Sequence, residues 1–213
     1  MLIYMIASRD SYIKDPENRL LTRGPRFRMD AEMLRDQALY VSGQLNEKMY
    51  GKSLKIPQPP GLWASVALRA SNTKSFKPDS GDNILRRSIY SFWKRAYPPP
   101  TMTIFNAPNR EVCVSRRERT NTPLQALVLM NETQYFSAAR ELAKLTLASS
   151  ADDKKRLLWS YERVTSHIPD ESELKLLHAS LLKLRSHYKN DELSTWTLMM
   201  NALLNLDIVK MKE

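Results

Sequence analysis

Residues Thr122 to Ala148 read TPLQALVLMNETQYFSAARELAKLTLA, and their pattern decides the fold. Thr122-Pro123 sets a capping hydroxyl before a proline, whose fixed φ and missing N–H suit the first helical position. Leu124, Leu127, Val128 and Met130 make the short helix ending at Asn131 nearly all apolar. It is therefore expected to be the most buried element, with Leu127→Ala costing roughly 2–5 kcal/mol. From Glu132 to Ala148 a second helix follows, with Tyr135, Ala138, Leu142 and Leu145 on its inward face at helical spacing.

Further along, three amphipathic helices are predicted near Asp152–Thr165, Asp170–Tyr188 and Asp191–Lys210, with Pro169-Asp170 and Asn190-Asp191 as turn and cap signals. Upstream, Asp30 is placed to cap a helix running to about Gln44, with Leu34, Ala38, Val41 and Leu45 on one face. Lys52 to Pro60 reads as a loop closing at Gly61, and Ala70 to Asp82 as a second, exposed loop. Ile84 to Arg95 fits a helix face but also alternates like a strand, and the helix is preferred. Pro98 to Pro100 enforces an extended path. No internal repeat or heptad stands out. The reading is an all-α, irregular multi-helix domain with a loop-rich centre. Residues 1–83 hold the first helix and loops, 84–131 a signature core, and 132–213 a helical tail.

A chain of 213 residues can bury one sizeable core or two small ones. Five glycines against twelve prolines argue against a nucleotide-cradling glycine loop. One cysteine and three histidines leave no disulfide framework and no zinc-ligand spacing, and no C-x-x-C-H attaches a haem. The first six residues are apolar, too few for a signal-peptide core or a membrane span. A net charge of +10 brings weak, salt-dependent attraction to polyanions. Specific nucleic-acid recognition is not expected, since no recognition motif is present and the basic residues are spread over most segments.

Although basic residues occur throughout, Arg86 to Arg119 holds +6 of the net +10. Arg86, Arg87, Lys94, Arg95, Arg110, Arg116, Arg117 and Arg119 face only Glu111 and Glu118 in that interval. Guanidinium forks there either bind an anion bidentately or tie loops together through carbonyls and acids such as Asp30, Glu32 and Asp36. The anion or glycan candidates are Arg86, Arg87, Trp93, Arg110, Arg116 and Arg119. For the RRER run the structural role is preferred: Arg119 is expected to hold carbonyls before the Thr122 cap, and Arg117→Ala to be nearly neutral. Trp63, Trp93, Tyr97 and Phe105 could stack sugars, though aromatics in a loop-rich region more often form core. Cys113, between Val112 and Val114, reads as a small buried hydrophobe and an inert thiol. Asn121 and Asn131 read as cap or turn residues. The histidines, all in the tail, receive no role.

The runs RRSIYSFWKR, AYPPP, TIFNAP, REVC and RRERTNTPLQALVLMN between Arg86 and Asn131 resemble the signature of the bacterial domain-of-unknown-function family 1553. The likeness extends upstream through Asp15 to Leu39 and Gln58 to Trp63, and downstream to Ala202–Val209. It implies a C-terminal domain of a larger planctomycete-type, exported protein, with haem on an upstream cytochrome-c-like domain and a periplasmic or other extracytoplasmic location. It also implies a linker longer than the one between Ser8–Tyr12 and Asp15, and the abrupt start suggests a fragment, a truncated gene or a degenerate paralogue. Where this chain has Asn106, the resembling family usually has aspartate. The family supplies no reaction. The preferred expectation is an interaction or ligand-presenting module for an acidic glycan or a partner protein, of unknown oligomeric state. The alternatives are an enzyme on a sulfated polysaccharide, with Glu111 or Asp82 as a carboxylate, and non-specific polyanion binding.

Overall fold

The computed structural model describes residues 9–21, 24, 27–63, 74–94, 97–189 and 191–212. The first six residues, the start of the Ala70–Asp82 loop, Arg95 and Asn190 lie outside them. The fold is all-α. Among the described residues it has α1 (Arg9–Lys14), α2 (Ala31–Val41), α3 (Pro100–Ile104), α4 (Pro123–Asn131), α5 (Thr133–Ser149), α6 (Asp153–Thr165), α7 (Glu171–His187), α8 (Glu192–Leu204) and α9 (Asp207–Lys210). One short antiparallel pair joins β1 (Phe27–Arg28) to β2 (Met211–Lys212).

In the helical tail, α5, α6, α7 and α8 each start on a side chain that accepts orphan N–H groups. Glu132 receives the Gln134 and Tyr135 amides, and Asp152 those of Lys154 and Lys155. Asp170 and Glu173 form a capping box, and Asp191 accepts from Ser194 N. With its ends satisfied, the tail packs Ala139, Leu142, Leu157, Tyr161, Val164, Leu181, Trp196, Met199, Met200 and Leu203 into one core. The α5–α8 pair is its most extensive helix contact. The segment expected as one helix from Asp191 breaks after Leu204: Asn205 turns the chain, its Nδ2 donating to Asn201 O at 2.9 Å, and α9 restarts at Asp207. Leu145, expected inward, lies at the rim and is exposed.

A second core joins α2 to the centre through Ala31, Leu34, Ala38, Leu54, Ile56, Met102, Phe105, Leu129, Tyr135 and Ala138. Ala138 and Ala139 put the two cores on adjacent residues of α5. Asp30 occupies the N-cap of α2 as expected, but its side chain makes no cap bond.

Ile84 to Arg95 is not a helix. Its described part takes in the end of one 3-10 turn, Gly81–Leu85, and the whole of a second, Ser88–Tyr90, because its backbone pairs with the preceding loop instead of with itself. Asn46 N donates to Leu85 O, Leu54 N to Tyr90 O and Phe92 N to Leu54 O, giving parallel bridges Asn46↔Arg86 and Leu54↔Ser91. Nor is the triple proline extended throughout, since Pro100 opens α3.

The largest departure is α4. Its start is as expected, with Thr122 and Gln125 in a capping box. Its burial is not: Leu124, Leu127 and Met130 are 54%, 57% and 47% exposed, and only Gln125 and Leu129 are buried. The polar Gln125 points inward because acceptors wait there, Ile104 O at 2.8 Å and Thr120 Oγ1 at 3.0 Å from its Nε2. Once Gln125 and Leu129 hold one face inward, helical geometry turns the Leu124, Leu127 and Met130 side chains to solvent.

Candidate functional site

A loop-dense centre leaves carbonyls that no helix uses, and buried ones need donors. Two guanidinium groups supply them in relay. Arg35 of α2 is buried and donates to Arg86 O, Ile84 O, Ser88 Oγ and Gln134 Oε1. Arg86 then donates to Lys48 O at 3.1 Å, Tyr50 O at 2.6 Å and Lys52 O at 2.9 Å, with its guanidinium 4.0 Å from the Tyr90 ring centre. Asp36 closes the set, accepting from Ser88 N and Oγ. Burial pushes the Arg35 guanidinium below its ordinary range, opposed by Asp36. Nearby Glu132 is pushed up by burial, against the amides of Tyr135 and Gln134 that hold it down. Arg86 has a donor on each of its nitrogens used within the fold, which removes it from the groups available to a ligand.

Arg35 went unnoticed in the sequence. Its signal was there: Ala31, Arg35, Ala38 and Leu39 share one buried helical face, and an arginine inside such a stripe needs buried acceptors.

Of the other candidates, Arg110 and Trp93 come together. Arg87 and Arg116 are exposed. Arg110 is exposed, with φ of +65°, and stacks its guanidinium 4.8 Å from the ring centre of Trp93, whose Nε1 donates to Asn109 O. The roles expected of Arg117 and Arg119 are exchanged. Arg117 grips both carboxylate oxygens of Glu32 at 2.6 and 3.2 Å and approaches Asp30 at 3.5 Å, while Arg119 is exposed and stacks over the Phe27 ring at 4.3 Å. Acceptors reach residue 117 because α2 presents Asp30 and Glu32 beside it.

Two further expectations are corrected. Cys113 is exposed, as are its neighbours Val112 and Val114, because Arg110 to Glu118 pairs with no other segment deeply enough to bury them. Of the aromatics proposed to stack sugars, Trp63 is buried against Phe76, Phe92 and Tyr97, and Phe105 is buried edge-on to Tyr135. Only Trp93 and Tyr97 keep partial exposure. Asp82 and Glu111 are exposed loop residues. Among the described residues no group of His, Cys, Asp and Glu could hold a metal ion, and no helix is long and apolar enough to cross a membrane.

One narrow cavity is lined by Arg28, Met29, Asp30, Phe105, Asn106, Glu118, Arg119, Thr120 and Gln125, at the entry to α4. Asn106 sits there in the left-handed region, φ +59°, with its Nδ2 donating to Thr120 Oγ1 at 2.7 Å.

No curated protein and no solved structure matches this chain. The sequence profile of one family, described as protein of unknown function (DUF1553), matches residues 4–181, which include both cores' first elements and the entire arginine-rich centre. The chain belongs to that family.

Proposed function

We propose that this domain is an interaction module that meets a partner protein through the exposed face of α4. The observation that carries the reading is the row Leu124, Leu127 and Met130, three large apolar side chains on a helix capped at its start and anchored by its opposite face. Scattered exposed apolar residues need no explanation, but a contiguous row on one helix face does. The loop leading into α4 adds exposed Arg116 and Arg119, so a partner with an apolar contact bordered by acids fits best. The resemblance adds the setting: a larger exported bacterial protein, with haem carried upstream of this domain.

A second reading, an acidic glycan as ligand, is favoured by the Arg110–Trp93 stack, which offers a cation and a partly exposed aromatic face together. The first reading is tested by tagging the domain in the cells that make it and comparing wild type with Leu127→Glu. The module reading expects a co-purifying protein that is lost with Leu127→Glu while the melting temperature is unchanged. A partner retained by Leu127→Glu, together with binding of dextran sulfate but not dextran, moves the conclusion to the glycan.

A further inference from the structure

The cavity before α4 contains a cation that the fold leaves half used. Arg28 is only 7% exposed, and its Nη1 donates to Asn121 Oδ1 at 2.6 Å. Its Nε and Nη2 are buried without any hydrogen-bond partner. Those two nitrogens are the side-on fork of a guanidinium, whose parallel N–H bonds match the two oxygens of a carboxylate. The same molecule shows that fork filled: Arg185 Nε and Nη2 grip Glu192 Oε1 and Oε2 at 2.6 and 2.8 Å.

The cavity's other polar groups also point to an acceptor-rich occupant. Thr120 Oγ1 already accepts two bonds, from Asn106 Nδ2 and Gln125 Nε2. A hydroxyl has one hydrogen and two lone pairs, so Thr120 has only its O–H left to give. Arg119 adds a positive charge at the rim. Of the two lining acids, Asp30 is engaged by Arg117 at 3.5 Å and Glu118 is exposed. Behind Arg28, burial and the Arg28 charge together hold Lys210 below its ordinary range, with Asp207 the carboxylate opposing. An added anion beside Arg28 would act in the same sense as Asp207, which opposes the lowering at both cations. The space is narrow, with room for about one water-sized sphere. A carboxylate that reaches both nitrogens therefore needs the exposed Arg119 and Glu118 side chains at the mouth to move aside.

We propose that Arg28, Thr120 and Arg119 form a carboxylate-binding site, with the Nε–H and Nη2–H of Arg28 taking the carboxylate side-on. The site is separate from the apolar row of α4, and its test does not depend on that row.

The probe is sodium formate against sodium chloride at equal ionic strength, read by thermal unfolding of the 213-residue chain. Formate at ten times its Kd should raise Tm by about 3 °C over chloride. Arg28→Lys, which keeps the charge and loses the fork, should remove that difference, and Thr120→Val should reduce it. Leu127→Glu should leave it unchanged. Asn106→Asp, which supplies a carboxylate from the cavity wall, should raise Tm without formate and abolish the formate response. If Arg28→Lys does not fold, Thr120→Val and Asn106→Asp carry the test. Equal Tm in formate and chloride for the wild type overturns the proposal, as does a response that survives Arg28→Lys. Stabilisation by Asn106→Asp with no formate response in the wild type also overturns it, since the cavity then holds water alone.

Discussion

Helices α4 and α8 have similarly apolar sequences, PLQALVLMN and ELSTWTLMMNALL, and opposite positions in the fold. In α8 the large side chains Trp196, Met199, Met200 and Leu203 are all buried, because α5, α6 and α7 contact it. In α4 the inward face is taken by Gln125 and Leu129, and the leucines at 124 and 127 face out. Apolar content therefore does not say which face is inside. Neighbours and polar anchors decide that. α8 is held by polar ties at its ends, Glu192 gripped by Arg185 and Asn201 Nδ2 donating to Met130 O at 3.1 Å, whereas α4 is tied to the loops from its middle by Gln125.

The contrast extends to the two regions these helices represent. The tail satisfies its backbone by regular helices and local caps, so its stability rests on apolar burial. The centre satisfies its backbone by guanidinium groups reaching across the chain, so its stability rests on a few charged donors. The largest effect expected is in the tail. Trp196→Ala removes a side chain with 0% exposure and should cost about 3–5 kcal/mol in denaturant unfolding. A cost under about 1 kcal/mol would mean that α8 is not the centre of that core.

Next comes the centre. Arg35→Met strips donors from Arg86 O, Ile84 O, Ser88 and Gln134, and should cost about 3 kcal/mol, since each acceptor left unpaired costs about 1 kcal/mol or more. Arg119→Ala, by contrast, should stay within about 0.5 kcal/mol, as expected of a surface change. The reverse ranking would restore the role first expected of Arg119.

A smaller effect depends on pH. Arg185 holds Asp153 and Glu192 below their ordinary carboxylate values, chiefly through its hydrogen bonds to them. A depressed carboxylate contributes stability that is full above its unfolded pKa and lost as pH falls through its folded pKa. The loss begins below about pH 4.5, near ordinary glutamate values. Arg185→Gln should flatten the acid limb of the stability profile there and shift nothing shape-defining near neutrality. Glu132, raised by burial, acts with the opposite sign, so the wild-type minus variant difference isolates the Arg185 pair. An unchanged acid limb in the variant would show that these ion pairs contribute nothing measurable.

The smallest energetic effect is at Cys113, where accessibility is the readout. The exposed thiol should label stoichiometrically with a thiol reagent in the native protein, as freely as in denaturant. Protection in the native state would mean that the Arg110–Glu118 loop is covered.

Regular features of this fold were legible in sequence because their causes are local. Thr122-Pro123, Asp152, Asp170 and Asp191 each announce a helix through a side chain that bonds amides two or three residues away. The 3-10 turns of the centre were not legible, because their cause is non-local pairing with Asn46 and Leu54 across intervening loops. Arg117 and Arg119 could not be ranked from sequence for the same reason, since what separates them is the presence of Glu32 beside one and Phe27 beside the other. The candidate cavity hinges on Arg28, which sits in an arginine-bearing run, TRGPRFR, where nothing in the spacing marks Arg28 for burial.

The most direct test of the contrast is a pair of identical truncations, Leu203→Ala in α8 and Leu127→Ala in α4, compared by denaturant unfolding at one pH. Leu203 is 1% exposed and Leu127 is 57% exposed. The account predicts a loss of about 2–5 kcal/mol for Leu203→Ala and under about 1 kcal/mol for Leu127→Ala. Equal losses of several kcal/mol would contradict it, placing α4 inside the protein and removing the exposed apolar row on which the interaction reading stands.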